Sequence, residues 1–537
     1  TGNGGDYQPP VTETETLLAE QLAAVLNVER VSATAHFFED LGMNSLLMAN
    51  LSAAVRRQGG LPPVAVQDMY QNPDIRRLAA VLDEAKAPAG PEPAGPAAGM
   101  REPHRATGFQ YAMCGLLQLA VFLAYSFLAA AMPIAGYEWA AGGSSWWDTV
   151  LRSLGMALAV FFGLGTLPIL LKWVLIGRWK PQEIPIWTLR YVRFWFVKTL
   201  LQANPFQAFV ATPLYPLYLR ALGARIGRRV TFLSSVPPVC ADLLTVGDDT
   251  VLRRGVVLQC HRARAGRLVL GPVTLGSNVY VGERTVLDIR TSMGDGAQLG
   301  HSSSLHAGQH VPAGQSWHGS PARRAATDYR VVEPVPCTLR RRIAYSLWVI
   351  ANRLFLMLTL GFALAVSLLD AYLESGHLEH GTAAFYLDAL LFSLVLFYGG
   401  LVTAFALVLT VPRLLSRFLV PGRTYPVYGF HYALQRTVAR LTNVRLFMQI
   451  TGDSSLVVHY LQALGYKQPG LVQTGSNYGV ELSHDSPYLT TVGSGTMVSD
   501  GLAISNADFS STSFRVSETV IGAKNFFGNN IGYPVGG

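Results

Sequence analysis

Residues 271–282 read GPVTLGSNVYVG, and this stretch determines the fold that the sequence predicts for the region around it. An aliphatic residue followed by glycine occurs at Leu275 and again six positions later at Val281. Aliphatic side chains at every sixth position stack inside a three-sided coil, and the adjoining glycine accepts the tight corner. The same texture extends from Ile226 to Ala325, so we predict stacked coils of short parallel strands there.

A longer repeat surrounds this region, with a period of about 245 residues. Leu244–Gly247 is matched by Thr490–Gly493, and Val273–Gly276 is matched by Thr519–Gly522. We therefore predict a helix pair followed by a coil domain, twice, with coil domains at 226–338 and 466–537. The second copy reaches Gly537 before it matches the full first copy, so we expect it to be truncated.

Each coil domain follows two apolar segments, and each segment is close to the ~20 residues that span a bilayer. We predict transmembrane helices 1–2 within 109–178 and helices 3–4 within 339–411, followed by interfacial helical segments at 179–225 and 412–465. Lysines and arginines flank these segments on one side, and the short loops near 138–148 and 370–380 contain none. A multi-pass cell-membrane protein is expected, with the other domains cytoplasmic.

Composition supports this organisation, because 50% of the residues are hydrophobic and only 14% are charged. Much of the net charge of +8 is assigned to membrane topology, and no nucleic-acid partner is expected. The four cysteines lie in separate segments, which predicts neither a disulfide framework nor a metal site. Residues 1–10 and 86–108 are rich in Gly, Pro or Ala and are expected to be linkers.

Between these linkers, residues 11–85 predict a small helical bundle. The sequence FFEDLGMNSL (Phe37–Leu46) within it resembles the attachment site of thiolation, or carrier, domains, and that resemblance implies a four-helix bundle. A serine at a helix start has unpaired amide N–H groups beside it, which favours a phosphodiester. We expect 4'-phosphopantetheine on Ser45, attached by a phosphopantetheinyl transferase. The alternative is that Ser45 only caps a helix.

The coil domains resemble the left-handed parallel β-helix of hexapeptide acyltransferases, including the closing motifs at Val311–Gly314 and Trp317–Arg323. This resemblance implies that His261, which precedes the loop Arg262–Leu270, is the catalytic general base. The alternative is a surface histidine in a basic loop. The second copy has no histidine at the matching position, and His484 is a weaker candidate there.

The whole chain resembles membrane nonribosomal-peptide-synthetase-like proteins of the ε-poly-L-lysine synthetase type. That resemblance implies an upstream adenylation domain and a third β-helix domain elsewhere in the enzyme. It also implies condensation of a carrier-bound cationic amino acid with a free or growing amine into an amide-linked homopolymer. We expect the acyl-transfer site to lie between successive β-helix domains. The alternatives are acyl transfer to a lipid or glycan, or a non-catalytic scaffold and export path.

Overall fold

The structure is a computed structural model that describes residues 7–43, 45–58, 64, 66–86, 104–374, 382–452, 454–469, 478–529 and 531–535. The predicted linkers at 1–10 and 86–108 lie mostly outside this part of the chain. Two compact units are formed, Thr1–Arg101 and Glu102–Gly537, and each is described by itself.

The first unit contains short helices, as the periodicity of its leucines predicts. They are α1 (Glu13–Leu26), α2 (Ser45–Gln58), α3 (Val66–Gln71) and α4 (Ile75–Lys86). Thr12 begins α1 with a capping box, in which its side chain accepts from the Glu15 N–H. Leu22, Phe37 and Met48 are fully buried between the helices. This small apolar core fixes the loop that leads into α2.

The second unit begins with two long helices and continues with shorter ones that lead into the strands. These are α5 (Gly108–Ala141), α6 (Trp146–Leu175), the short strand β1 (Glu183–Pro185), α7 (Leu189–Gln202) and α8 (Leu214–Ala221). The apolar face of α7 is buried, including Val197 and Leu201, which are 0% exposed. The segment predicted to be interfacial therefore packs part of its apolar surface on protein.

Short strands then alternate with tight turns through the first coil region. They are β2 (Arg225–Ile226), β3 (Thr231–Phe232), β4 (Leu244–Val246), β5 (Val251–Leu252), β6 (Val257–Leu258), β7 (His261–Arg264), β8 (Arg267–Leu270), β9 (Val273–Leu275), β10 (Tyr280–Val281), β11 (Val286–Leu287), β12 (Thr291–Met293), β13 (Gln298–Leu299), β14 (Ser304–Leu305), β15 (His310–Val311), β16 (Ser316–Gly319) and β17 (Ala322–Ala325). Three sheets result, built on β2-β4-β9-β12-β15, β3-β5-β10-β13-β16 and β6-β11-β14.

The strands named in these three sheets pair in parallel, each with the strand one coil further along the chain. Strand β17 extends the second sheet by antiparallel pairing with β16. Leu275 and Val281, which carried the sequence pattern, are 1% and 0% exposed and lie inside the coils. This arrangement is compatible with the predicted parallel β-helix. The segment Arg262–Leu270, predicted as a loop, instead forms most of an antiparallel hairpin, β7–β8, which begins at His261 and pairs with β1.

The second copy repeats this order of elements. Its helices are α9 (Leu339–Ala351), α10 (Leu360–Glu374), α11 (Ala383–Ser416), α12 (Phe430–Leu441), α13 (Arg445–Thr451), α14 (Leu456–Leu464) and α15 (Tyr478–Glu481), with a π-helix (Asn352–Thr359) joining α9 to α10. Its strands are β18 (Thr424–Pro426), β19 (Ser483–His484), β20 (Thr490–Val492), β21 (Met497–Val498), β22 (Leu502–Ile504), β23 (Ala507–Phe509), β24 (Ser513–Val516), β25 (Thr519–Ile521), β26 (Phe526–Phe527) and β27 (Ile531–Tyr533).

Strand pairing shows which positions of the two copies correspond. In the first copy His261 pairs with Leu270 at the start of the hairpin, and in the second Ala507 pairs with Val516. Strand β18 pairs with β24 as β1 pairs with β8. The internal repeat is therefore structural, and Ala507 occupies the position of His261.

Four helices in the described part of the chain are long and apolar enough to cross a membrane. They are α5, α6, the continuous helix Leu339–Glu374 and α11. Their positions agree with the four apolar segments predicted from the sequence.

Candidate functional site

Ser45 is the first residue of α2, the position that the carrier resemblance implies. The loop before it is fixed by two backbone hydrogen bonds, from Phe37 N–H to the Pro73 carbonyl (2.7 Å) and from Met43 N–H to the Phe37 carbonyl (2.8 Å). Gly42 adopts φ 61° there, a left-handed conformation that favours glycine. The Ser45 side chain lies outside the described part of the structure. The backbone nevertheless places it at a helix N-terminus, where amide N–H groups and the helix dipole favour a phosphate.

His261 lies at the base of the first hairpin, beneath α7. Its imidazole makes an edge-to-face contact with the ring of Phe194, with the ring centroids 5.1 Å apart. Its Nδ1 atom is buried and has no hydrogen-bond partner among the described residues. The outer residues of the hairpin, Arg262 and Arg264, are exposed. His261 is therefore half-buried, its Nδ1 atom is free of hydrogen bonds to the described residues, and two exposed arginines follow it in the hairpin.

Burial, with a smaller contribution from the nearby Lys198 ammonium, lowers the pKa of His261 to about 4. The imidazole is therefore neutral at neutral pH and can accept a proton, although it is a weak base in this environment. No carboxylate forms a hydrogen bond with His261 in the described residues, so its tautomer is not fixed by an acid partner.

The interface between the two copies contains a buried charged cluster that the sequence did not predict. The guanidinium of Arg253 is 0% exposed and donates from Nη2 to Glu283 Oε1 at 2.7 Å. The same Nη2 donates to the carbonyl oxygen of Ala507 at 2.6 Å, and the guanidinium lies over the ring of Phe509. Ser505 donates its hydroxyl to Glu283 Oε2 at 2.8 Å. The cluster therefore joins the face of the first copy to the hairpin of the second.

A second arginine extends this cluster towards His484. Arg254 Nη1 donates to the His484 carbonyl at 2.9 Å and lies 3.7 Å from Asp485 Oδ1. Asp485 Oδ2 in turn accepts from the Asn506 N–H at 3.2 Å. Burial raises the pKa of the Glu283 carboxyl, but Arg253 and Arg254 outweigh that effect and hold the pKa below its usual range. The carboxylate remains charged, and the cluster acts as an ionic contact between the copies.

His484 is fully buried, and its Nδ1 atom lies 2.9 Å from the Tyr466 hydroxyl. Burial, and then the charge of Arg254, lower its pKa to about 3. A histidine with this pKa stays neutral at neutral pH, and its enclosure leaves no path for a substrate to reach the ring. The geometry therefore favours a structural role for His484, as one side of the contact between the copies.

The structure brings His484 to the interface between the copies, but it places His261 at the base of the first hairpin, against Phe194 of α7. The sequence did not predict the interface residues, because Arg253 and Glu283 are far apart in the chain. They come into contact only when neighbouring coils stack. One signal was available, since Arg253 follows the buried pair Val251–Leu252 within the coil pattern, where an aliphatic or small residue is usual.

Comparison with known proteins identifies the class of the first unit. Residues 16–82 match the family described as phosphopantetheine attachment site. A solved nonribosomal peptidyl carrier (PCP) domain is 34% identical and aligns with 14% of this chain and 92% of its own, with a TM-score of 0.13. The first unit is a carrier domain, and its cofactor is 4'-phosphopantetheine.

A relative matches along almost the whole chain. Delta-poly-L-ornithine synthetase of Acinetobacter baumannii (strain AB307-0294) is 26% identical over 97% of this chain, which spans 39% of the length of that protein. A candidate acetyltransferase, YvoF of Bacillus subtilis (strain 168), is 25% identical over 26% of this chain and 79% of its own length. The chain is thus similar to a peptide-forming synthetase and, over a shorter stretch, to an acyl-transfer protein.

Proposed function

We propose that this chain is the carrier and condensing part of a membrane peptide synthetase that makes an amide-linked homopolymer of a cationic amino acid. The observation that carries this proposal is the similarity to a poly-ornithine synthetase over 97% of the chain, combined with the carrier domain. Ornithine and lysine are both diamino acids, so either is a candidate substrate. An adenylation domain and a further β-helix domain of the same enzyme would be its partners.

In this proposal Ser45 carries the phosphopantetheine arm, whose thiol holds the aminoacyl group as a thioester. The amine of a second amino acid or of the growing chain attacks the thioester carbonyl, so that a C–N bond forms and the C–S bond breaks. The attacking nitrogen becomes positively charged and acidic as it adds, so even the weakly basic His261 can take its proton. That proton then passes to the departing thiolate.

The hairpin of the first copy is the proposed site of this transfer. Its histidine is partly exposed and its outer strand is exposed, whereas most of the equivalent hairpin of the second copy is buried. In this proposal the parallel sheets of both copies form left-handed β-helices. They lie on the cytoplasmic side, where the positively charged ends of the helix pairs are expected.

The attachment site can be tested by intact-mass measurement after coexpression with a phosphopantetheinyl transferase. The wild-type chain should gain the mass of one phosphopantetheine, and Ser45→Ala should gain none and yield no polymer. Ser32→Ala, in the same domain, is the matched control and should load fully. An unmodified wild-type chain, or a loaded Ser45→Ala variant, would refute the assignment.

A second candidate function is transfer of the carrier-bound acyl group to a lipid or glycan acceptor. The shorter similarity to YvoF, a candidate acetyltransferase, favours it. The two candidates differ in their product, because only condensation joins one amino acid to another. Mass spectrometry of the material released from a loaded carrier, with diamino acid, lipid extract or glycan supplied as acceptor, separates them.

A further inference from the structure

A cavity of about 750 Å³ lies where the second helix pair meets the helices of the second copy. One wall is formed by α9 and the start of the π-helix, another by the end of α11, and the third by α12. Residues Arg341, Tyr345, Asn352, Arg353, Phe430 and Arg440 are among those that line it. It is separate from the charged interface between the copies and from His261.

The charged side chains that line this cavity are all positive. Arg341, Arg353 and Arg440 line it, and none of its described lining residues is an Asp or Glu. None of these three arginines forms an ion pair within the described part of the chain. Three guanidinium groups around a shared space are suited to an anion with several acceptor oxygens, such as a phosphate ester.

One of these arginines, Arg353, lies in the π-helix. This helix spans Asn352–Thr359, and within it the Thr359 hydroxyl donates to the Leu354 carbonyl at 2.7 Å. Arg353 belongs to the helix Leu339–Glu374, which is long and apolar enough to cross a membrane. A charged group in such a helix is costly unless it faces a counter-charge or water, and the cavity provides the space for one. Asn352 and Arg353, the first two residues of this π-helix, line the cavity.

Aromatic and aliphatic side chains complete the cavity wall. Trp348, within the helix Leu339–Glu374, is 47% exposed, and Phe430, at the start of α12, is 64% exposed. Aromatic residues of this kind concentrate at the level of the lipid headgroups. The cavity thus combines cations that match a headgroup phosphate with apolar walls that match the first part of the acyl chains.

We infer that this cavity binds the phosphate headgroup of an anionic glycerophospholipid, in the leaflet on the side of the parallel sheets. A phosphate ester could also come from solution, but a soluble anion has no acyl chain that would pack against the apolar wall. A cationic amino acid or polymer would be repelled by the three arginines. The inference rests on this cavity and on a membrane crossing by the helix Leu339–Glu374, and it does not depend on the proposed condensation chemistry.

Native mass spectrometry of the detergent-purified chain, titrated with phosphatidylglycerol or phosphatidylcholine, tests this inference. Phosphatidylglycerol should be retained in preference, and Arg353→Gln and Arg440→Gln should each weaken its binding about fivefold, the effect typical of one basic residue near an anionic lipid surface. Arg417→Gln, an exposed arginine at the end of α11 outside the cavity, should leave binding unchanged. Arg440 is also exposed, so its variant remains informative if Arg353→Gln fails to fold.

A competition with inorganic phosphate distinguishes the two sources of phosphate. Millimolar phosphate should not displace the lipid, because it cannot use the apolar wall. Displacement at that concentration would assign the cavity to a soluble anion and overturn the lipid assignment. Equal retention of both lipids, or equal weakening by Arg417→Gln and the cavity variants, would overturn it as well.

Discussion

The two hairpins of the repeat, His261–Leu270 and Ala507–Val516, share a backbone arrangement but have opposite environments. Each pairs with an antiparallel strand from the segment that follows the preceding helix pair. In the first copy the outer residue Arg262 is exposed. In the second copy Phe509 is buried beneath the guanidinium of Arg253. One structural element therefore forms an accessible edge in one copy and an interface in the other.

This difference limits where chemistry can occur in the repeated fold. The carbonyl of Ala507 accepts a hydrogen bond from Arg253, and most residues of the second hairpin are buried. The corresponding position of the first copy holds His261, which is partly exposed and is followed by the exposed residues Arg262–Ala265. Packing of the two copies against each other thus buries the hairpin Ala507–Val516 but not the equivalent hairpin His261–Leu270. The sequence predicts that the acyl-transfer site lies between successive β-helix domains. For the hairpin that carries His261, this remains a prediction.

The largest effect is expected from His261→Asn, which keeps the shape of the side chain but removes its basicity. Amide formation from a loaded carrier should slow by ~10² to 10⁴, the range typical of losing a general base. Product formation would be measured by mass spectrometry with an aminoacyl group placed on Ser45. His306→Asn, at an exposed histidine on the first coil region, should have no effect. An unchanged rate for His261→Asn would support the surface-histidine alternative.

A smaller effect, a loss of folding stability, is expected from a substitution in the buried charged cluster between the copies. Glu283→Ala leaves Arg253 without its closest carboxylate, and breaking a buried ion pair of this kind costs about 3 kcal/mol. Thermal unfolding of the purified chain would measure this loss.

The second copy supplies a matched control, because Asn529 follows β26 as Glu283 follows β10. There the partner of Asn529 is Ser499, and Asn529 is exposed. Asn529→Ala should change stability by less than ~0.5 kcal/mol, as exposed substitutions usually do. Equal losses for the two variants would mean that the charged cluster does not hold the copies together.

The smallest expected effect is the pH dependence contributed by His484. Its pKa of about 3 in the fold is below the value of about 6.5 for an unfolded chain. The unfolded state therefore binds the extra proton, and stability that is complete above pH 6.5 falls as the pH decreases towards 3. Between pH 7 and pH 5 this amounts to about 2 kcal/mol.

The measurement is the unfolding temperature of wild type and His484→Gln at pH 7 and pH 5. The variant should lose less stability on acidification than the wild type does. His306→Gln should behave as the wild type, because that histidine is exposed. An identical pH dependence for wild type and His484→Gln would contradict the buried, neutral state of this histidine.

Much of this architecture is encoded in local patterns that can be read without a structure. The recurrence of Leu275 and Val281 predicts stacked coils, because it reports which side chains point inwards. The apolar segments predict the four long helices, because their length and composition suffice. The carrier domain follows from the sequence around Ser45, and the family match confirms it.

Other features depend on contacts that no local pattern reports. The hairpin was predicted as a loop, because the strand His261–Arg264 is short and rich in arginine and shows no alternation of polar and apolar residues. The pairing of Arg253 with Glu283 requires neighbouring coils to stack, and the contact of Arg253 with Ala507 requires the second copy. The π-helix at Asn352–Thr359 has no sequence signature of its own and follows from tertiary packing.

The most direct test of the account is the fate of an aminoacyl group on Ser45 when an amine acceptor is added. Aminoacyl-pantetheine would be attached by a phosphopantetheinyl transferase, free ornithine or lysine would be supplied, and intact mass would be followed with time. The account predicts that the aminoacyl mass is lost from the carrier while an amide-linked product appears in equal amount, and that His261→Asn slows both. A thioester that stays on Ser45, or that is lost only by hydrolysis in wild type and variant alike, would contradict it.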